Sequence, residues 1–433
     1  MAEPAMQWSL FDDLDQPSLF DAPRVAGVED SAPTPTGDDA AGQAQPERRI
    51  TFLHTADWQL GMTRKYLSAD AQHAYTAARL DAVTRIGAVA ASTGARFVVV
   101  CGDVFEDHRV SARLITQTLD RLGEFTVPVY LLPGNHDPFD AAGVYRSEIF
   151  RTRCPANVTV LSTPGVVGVC DDAELVVAPW SHKAPLADLV GAQVDSLQPT
   201  DRLRVVVGHG ATDALSPGSD PSLVAVGALE EALSTSLIDY VALGDRHSVT
   251  PVGGSGRIWY SGAQEVTNFD NVETEPGSVL EVTLTRGADG RTVDVTPHRV
   301  GQWAFTSIRH DITSAADVAD FARRLSAIPD KSRVVLQVAL VGTVSVVEHV
   351  ELQRILDGAA DSFAAVRRWD AHDDLVVVAD ADSVADFALR GYAAQAADEL
   401  VERASAEDGT ATAARGALAL LARLAARTGG ESR

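Results

Sequence analysis

Short apolar runs, each stopped by residues that can carry chemistry, constrain this chain more than its composition does. Ile50-Thr51-Phe52-Leu53-His54 leads to Asp57, and Phe97 to Cys101 ends at Gly102-Asp103. Val127-Pro128-Val129-Tyr130-Leu131-Leu132 ends at Pro133-Gly134-Asn135-His136-Asp137. Residues 203–208 and 238–243 end at Gly208-His209-Gly210 and at Gly244-Asp245-Arg246-His247. Apolar runs this short read as buried strands, and polar loops at strand ends are how α/β proteins present functional groups. Helical periods at 68–93 and 111–123, with further strands at 158–161 and 174–179, complete an alternation. The economical architecture is an α/β sandwich, its sheets flanked by helices.

The third strand end is the richest. Gly134 lets the backbone bend, Asn135 offers an amide oxygen, His136 an imidazole, and Asp137 a carboxylate expected to orient that imidazole. Oxygen and nitrogen ligands beside a proton donor suit a metal-assisted attack on phosphate.

Segments 278–285 and 291–299 read as a hairpin around residues 287–290. A second alternation follows: strand 303–310, helix 314–327, strand 332–341, helix 346–358, strands near 363–369 and 375–379, then helices 383–405 and 411–427. Residues 47–300 are thus expected to form one domain, and 301–433 a smaller α+β capping domain. Residues 1–46 have no sustained period and are expected to be disordered. Two near-copies lie within them, Gln7-Trp8-Ser9-Leu10-Phe11 and Gln16-Pro17-Ser18-Leu19-Phe20. A polar tail has no core for such side chains, so the repeat reads as a recognition motif.

A formal charge of −24 argues against broad, nonspecific adhesion to nucleic acid. A DNA substrate stays open, provided a local basic groove, bound cations or a partner supplies the positive field. No apolar run approaches the ~18 residues of a membrane span, and no basic segment followed by an apolar core suggests export. Cys101, Cys154 and Cys170 are too few and dispersed for a disulfide framework. The expectation is a cytoplasmic protein, and no Walker-type Gly-Lys-Ser loop points to ATP.

In order and spacing, the five strand-end clusters resemble those of calcineurin-like metallophosphoesterases. His54-Thr55-Ala56-Asp57-Trp58 with Leu60-Gly61, Gly102-Asp103-Val104-Phe105 and Tyr260-Ser261-Gly262-Ala263 resemble the SbcD-type DNA repair exonucleases. The resemblance spans roughly residues 49–300. It implies a β-sandwich between helices (αββα) and two divalent metal ions, Mn²⁺ in the first place. It puts Asp57, Gln59, Asp103 and His247 on one metal, and Asp103, Asn135, His209 and Asp245 on the other. His136 would be the catalytic acid, oriented by Asp137, while His54 would either support the ligands from behind or be a satisfied strand histidine. Two positions depart from the family pattern: Gln59 and Asp245 each stand where it usually has His. The implied activity is a DNA exonuclease or endonuclease paired with an SMC-type ATPase, with a second copy of the chain as a further candidate partner. Alternatives are a small-nucleotide phosphodiesterase and a catalytically weak repair scaffold. Gln-x-Ser-Leu-Phe resembles the pentapeptide by which bacterial repair proteins dock on the DNA polymerase sliding clamp. Gln7, Leu10, Phe11, Gln16, Leu19 and Phe20 would carry that contact.

Overall fold

The computed structural model describes residues 47–287, 290–378 and 391–404, and residues 411, 413, 414, 416–418, 420 and 421. The two tail motifs, residues 288–289 of the hairpin turn and much of the last two expected helices lie outside them.

In the first sheet, β1 (Arg48–Thr55), β2 (Val98–Cys101), β3 (Val129–Leu132) and β4 (Val158–Val160) run parallel. The second sheet takes β5 (Gly165–Cys170), β6 (Ala173–Val177), β7 (Leu203–His209), β8 (Tyr240–Gly244), β9 (Val249–Val252) and β10 (Ile258–Ser261), in the order β5-β6-β7-β8-β10-β9. The chain then returns to the first sheet as the antiparallel pair β11 (Ser278–Gly287) and β12 (Gly290–Arg299), with β11 lying along β1.

The two-residue period of the strands explains the layering. Phe97, Val99 and Cys101 face one way and meet Val205, Val207 and Ala242 of the second sheet. Val98 and Val100 face the other way and meet Leu80, Val83, Ile86, Ile115 and Leu119. Those five come from α1 (Ala69–Thr93) and α2 (Ala112–Gly123). The Ser68 and Ser111 hydroxyls cap these helices by accepting from Ala71 N and Leu114 N, and Gly94, at φ 67°, stops α1. On the far side, Val206 and Val241 pack against α4 (Leu189–Val194) and α5 (Val226–Ser234), which follow the short α3 (Glu148–Arg153). Four layers result: helices, sheet, sheet, helices. This is the expected sandwich.

After residue 300 a third sheet forms around β14 (Val334–Ser345), which runs parallel to β13 (Ala304–Ile312), β15 (Ala365–Arg368) and β16 (Asp374–Val378). α6 (Ala315–Ala327) and α7 (Val346–Ala360) cover it through Val318, Phe321, Leu325 and Leu352, and α8 (Tyr392–Ala404) follows. Ser345 and Glu348 close a reciprocal cap on α7. An aromatic seam of Tyr75, Phe269, Trp303 and Phe305, with Met62 and Val335, joins this region to the sandwich. Tyr75 and Trp303 meet edge-on at 5.2 Å, a geometry worth about 0.5–1.5 kcal/mol beyond burial. No helix among the described residues is long and apolar enough to cross a membrane.

Candidate metal centre

The loops after β1, β2 and β8 carry unusual backbone. Asp57, Gln59, Asp103 and Asp245 have φ of 53°, 40°, 55° and 106°. Only three other described non-glycine residues share positive φ, so the strained conformation concentrates here. Such strain persists when neighbours over-determine it. Asp57 N donates to Gly102 O at 3.1 Å and Gln59 N to Asp103 O at 2.7 Å. Asp245 N donates to both carboxylate oxygens of Asp57, at 3.0 and 3.1 Å. A Cβ on Gly102 would overlap the His209 ring, and one on Gly134 the Asp103 carboxylate. Both positions need glycine so that the loops can close on each other.

Ligand atoms of Asp57, Asp103 and His209, all buried, lie within 4.8 Å of one another. His209 Nδ1 lies 2.8 Å from Cys101 O. Donation to that carbonyl turns Nε2 inward, 2.7 Å from Asn135 Oδ1, 3.5 Å from Asp103 Oδ2 and 3.8 Å from Asp245 Oδ1. Burial, then the Asp103 and Asp245 charges, push the Asp57 pKa well above the carboxylate range, against the pull of His209. Burial opposes a charge on His209, yet Asp103, then Asp57 and Asp245, raise its pKa well above the usual value. Asp103 is pushed up by burial, but His209 and then His136 hold it below the ordinary range. A nest of three aspartates that keeps a proton on its histidine is a nest that wants a cation.

A divalent ion fits this nest on the donor set alone, which is hard oxygen plus one oriented imidazole. Gln59 supplies a second sign: its Oε1 is buried and without a hydrogen-bond partner, a costly state that a cation would relieve. His247 is prepared in the same sense. Its Nδ1 lies 2.6 Å from Thr267 Oγ1, which donates to Glu273 Oε1 at 3.0 Å, leaving Nε2 as the free nitrogen. Burial, then Arg79, lower the His247 pKa to about 4, so the ring is neutral and able to ligate.

The proton-donor expectation needs one correction. His136 Nδ1 is held by the Glu106 carbonyl at 2.8 Å, and His136 N donates to Asp103 Oδ1 at 2.9 Å. Asp137 does not orient it. Its buried carboxylate turns the other way and accepts from Gly134 N, Phe105 N and Tyr145 Oη at 2.9, 3.0 and 2.7 Å. Neighbours in a tight turn point apart, so adjacency in sequence misled. His54 stands as the satisfied strand histidine, 3.1 Å from both Tyr240 Oη and Leu243 O, with burial lowering its pKa to about 3. It pins the end of β8, two residues before Asp245.

Sequence reasoning missed the clamp behind the loops. Arg79, fully buried on α1, donates to Trp58 O at 2.6 Å and to Glu265 O and Val266 O at 3.2 Å. Gln264 Nε2 donates to the same Trp58 carbonyl at 3.0 Å. The Asp57–Gln59 loop is thereby tied to the segment that carries Thr267. The available signal was Arg79 itself, one turn from Tyr75 and Val83 on the apolar face of α1.

What these features define is a two-sheet α/β sandwich whose strand ends bring together a buried Asp/Asp/His cluster able to hold a divalent ion. The family described as calcineurin-like phosphoesterase matches residues 50–262, and the chain therefore carries a calcineurin-like phosphoesterase domain. Among solved structures, a dimetal phosphatase from Danio rerio is similar at 13% identity over 57% of this chain and 98% of its own, with a TM-score of 0.36. The protein TT1561 of Thermus thermophilus is similar at 10% identity over 58% and 100%, with a TM-score of 0.35. The purple acid phosphatase PPD1 from yellow lupin (Lupinus luteus) seeds shares 11% identity over 58% and 53%, with a TM-score of 0.32. No curated protein matches the chain.

Proposed function

We propose that the chain is a dinuclear-metal phosphodiesterase acting on DNA ends or structures in repair or recombination, in the manner of the SbcD-type nucleases. The observation that carries this reading is the convergence of Asp57, Asp103 and His209, with Asn135 and Asp245 beside them, from strand ends of both sheets. Asp57, Gln59, Asp103 and His247 would hold one divalent ion, and Asp103, Asn135, His209 and Asp245 the other. When bound, the ions polarise the phosphodiester and a water for in-line attack. Three aspartates with one imidazole replaced by Gln59 favour a hard ion, and Mn²⁺ fits.

The chain's own part is proton delivery and positioning. With Nδ1 held by Glu106, His136 presents Nε2, 3.9 Å from Asp103 Oδ2, and this atom gives its proton to the leaving sugar oxygen. Val266 and Phe269 flank Thr267 and belong to the seam with the cap. A substrate long enough to pass His247 would therefore meet the cap as well, which favours a polymer over a small nucleotide.

In this reading the protein works in the cytoplasm with an SMC-type ATPase, since its own sequence has no Walker loop. The tail docks on a sliding clamp, and alanine at Leu10, Phe11, Leu19 and Phe20 together abolishes clamp binding in a titration. The central test is hydrolysis with Mn²⁺ of linear duplex, hairpin and single-stranded DNA beside bis(4-nitrophenyl) phosphate. Cleavage of the small ester alone would reject DNA, and inertness toward every substrate would reject the enzyme.

A further inference from the structure

Between sandwich and cap, linked to His247 through Arg64 and Thr267, lies a pocket of about 400 Å³ whose lining includes Arg64, Tyr66, Asn271, Gln337, Arg367 and Trp369. Its lining has two arginines and no carboxylate, in a chain of net charge −24. Neither arginine forms an ion pair among the described residues. Arg64 donates through Nε and Nη2 to the Thr267 carbonyl, and Thr267 is the residue that holds His247. The Arg367 guanidinium lies 5.3 Å from the Tyr66 ring centre and 5.7 Å from that of Phe269. Carboxylates of the same loop are engaged elsewhere: Asp270 accepts from Ser307 N, and Glu273 from the backbone at 267 and 268.

The polar functions that remain have a definite character. Gln337 is 5% exposed, and its Nε2 donates to Asn271 Oδ1 at 2.9 Å and Ser307 Oγ at 2.8 Å. An amide nitrogen has two hydrogens, so this leaves Gln337 Oε1 as an acceptor and Asn271 Nδ2 as a donor. Trp369 is half-buried, with the His372 ring 3.9 Å from its own. The pocket thus combines aromatic faces, a guanidinium plane, an acceptor, a donor and net positive charge. Aromatic and guanidinium planes stack on any base, and paired amide functions satisfy base edges.

We propose that this pocket takes an unpaired nucleobase from a strand whose phosphodiester lies at the metal centre, with Arg64 facing the intervening phosphate. The proposal deepens the phosphodiesterase reading and rests on it for the placement of the strand. The base leaves its stack, rests against Trp369 and the Tyr66–Arg367 pair, and fixes the register of the chain over His247. Because stacking supplies the energy, recognition tolerates any of the four bases.

The test uses the full chain in EDTA, which prevents cleavage. Fluorescence anisotropy measures binding of a short single-stranded oligonucleotide and of the same backbone with abasic sugars. The parent should favour the base-bearing strand about tenfold, the lower end of what one stacked base contributes. Trp369→Ala and Arg367→Lys, which keeps the charge and loses the stacking plane, should each bring that ratio close to one, and Arg367 is exposed enough to be replaced without unfolding. A parent that does not distinguish the strands, or variants that keep the parent's ratio, would overturn the pocket. Hydrolysis of bis(4-nitrophenyl) phosphate by the parent with Mn²⁺ reports on the metal centre alone. Base preference without hydrolysis would retain the pocket and remove the phosphodiesterase reading, and hydrolysis without base preference would do the reverse.

Discussion

At the scale of single residues, the site divides groups that hold charge from the one group free to move a proton. His209 is locked at both nitrogens, by Cys101 O and Asn135 Oδ1, whereas His136 is anchored only at Nδ1 by the Glu106 carbonyl. Replacing His136 by Ala should therefore leave Mn²⁺ binding intact, as read by titration calorimetry. Turnover should fall by roughly two orders of magnitude, the usual worth of a positioned acid. An unchanged turnover number would remove His136 from the chemistry. This division was only partly legible in the sequence. Asp57, Asp103, Asn135 and His209 each sit immediately past an apolar run, where strand ends gather in space. Asp137 was misread because a turn's side-chain directions are not written in its order of residues.

At the scale of elements, strand periods and helix caps were readable, because two-residue and 3.6-residue alternation report directly which face is buried. The helix 68–93 and the pair 278–285 and 291–299 fall where α1, β11 and β12 stand. The stretch Gly165–Cys170, which became β5, has two glycines and no polar alternation to mark it, although as an edge strand it is exposed on alternate residues. For the tie that α1 makes to the active loops, Arg79 on an apolar face was the one signal, and its partners could not be read because they are backbone carbonyls that any sequence would supply. Arg79→Ala tests that tie. It strips a donor from the Trp58, Glu265 and Val266 carbonyls; Gln264 still serves the first and Tyr75 the last, so the buried Glu265 carbonyl alone loses its side-chain donor, at a cost of about 1–3 kcal/mol. Urea unfolding should show a loss of about 1–3 kcal/mol, and Mn²⁺ affinity should fall with it. A variant as stable as the parent would mean that the loops hold their strained backbone unaided.

For the whole molecule, the buried acids make stability depend on protons and metal in opposite ways. Burial raises the pKa of Asp137 to about 7, with Asp103 adding to it, and burial raises that of Glu273 to about 7 against the donors around it. A carboxyl whose folded pKa is raised binds its proton more tightly in the native state. Its contribution is complete below the unfolded values near 4 and is lost as pH rises through about 7. His54 and His247, held neutral by burial, work the other way as pH climbs to the ordinary histidine value, so the comparison starts there: metal-free protein in EDTA should melt at lower temperature at pH 8 than at pH 6.5. Added Mn²⁺ should raise the melting temperature more at pH 8, because fewer protons then compete with the ion for the aspartates and His209. A metal-free melting temperature that climbs between pH 6.5 and pH 8 would contradict the burial argument.

The return of the chain to its first sheet has a consequence for how the molecule is made. β1 lies between β2, close behind it in sequence, and β11, which comes only after the whole second sheet. On a ribosome, one edge of β1 therefore waits for its partner while β5 to β10 are synthesised. Pairings so distant in sequence make folding slow and leave an unprotected edge exposed in the meantime. A nascent chain stopped before Ser278 would carry that open edge, so the hairpin of β11 and β12 closes the sheet as the last act of the sandwich's assembly.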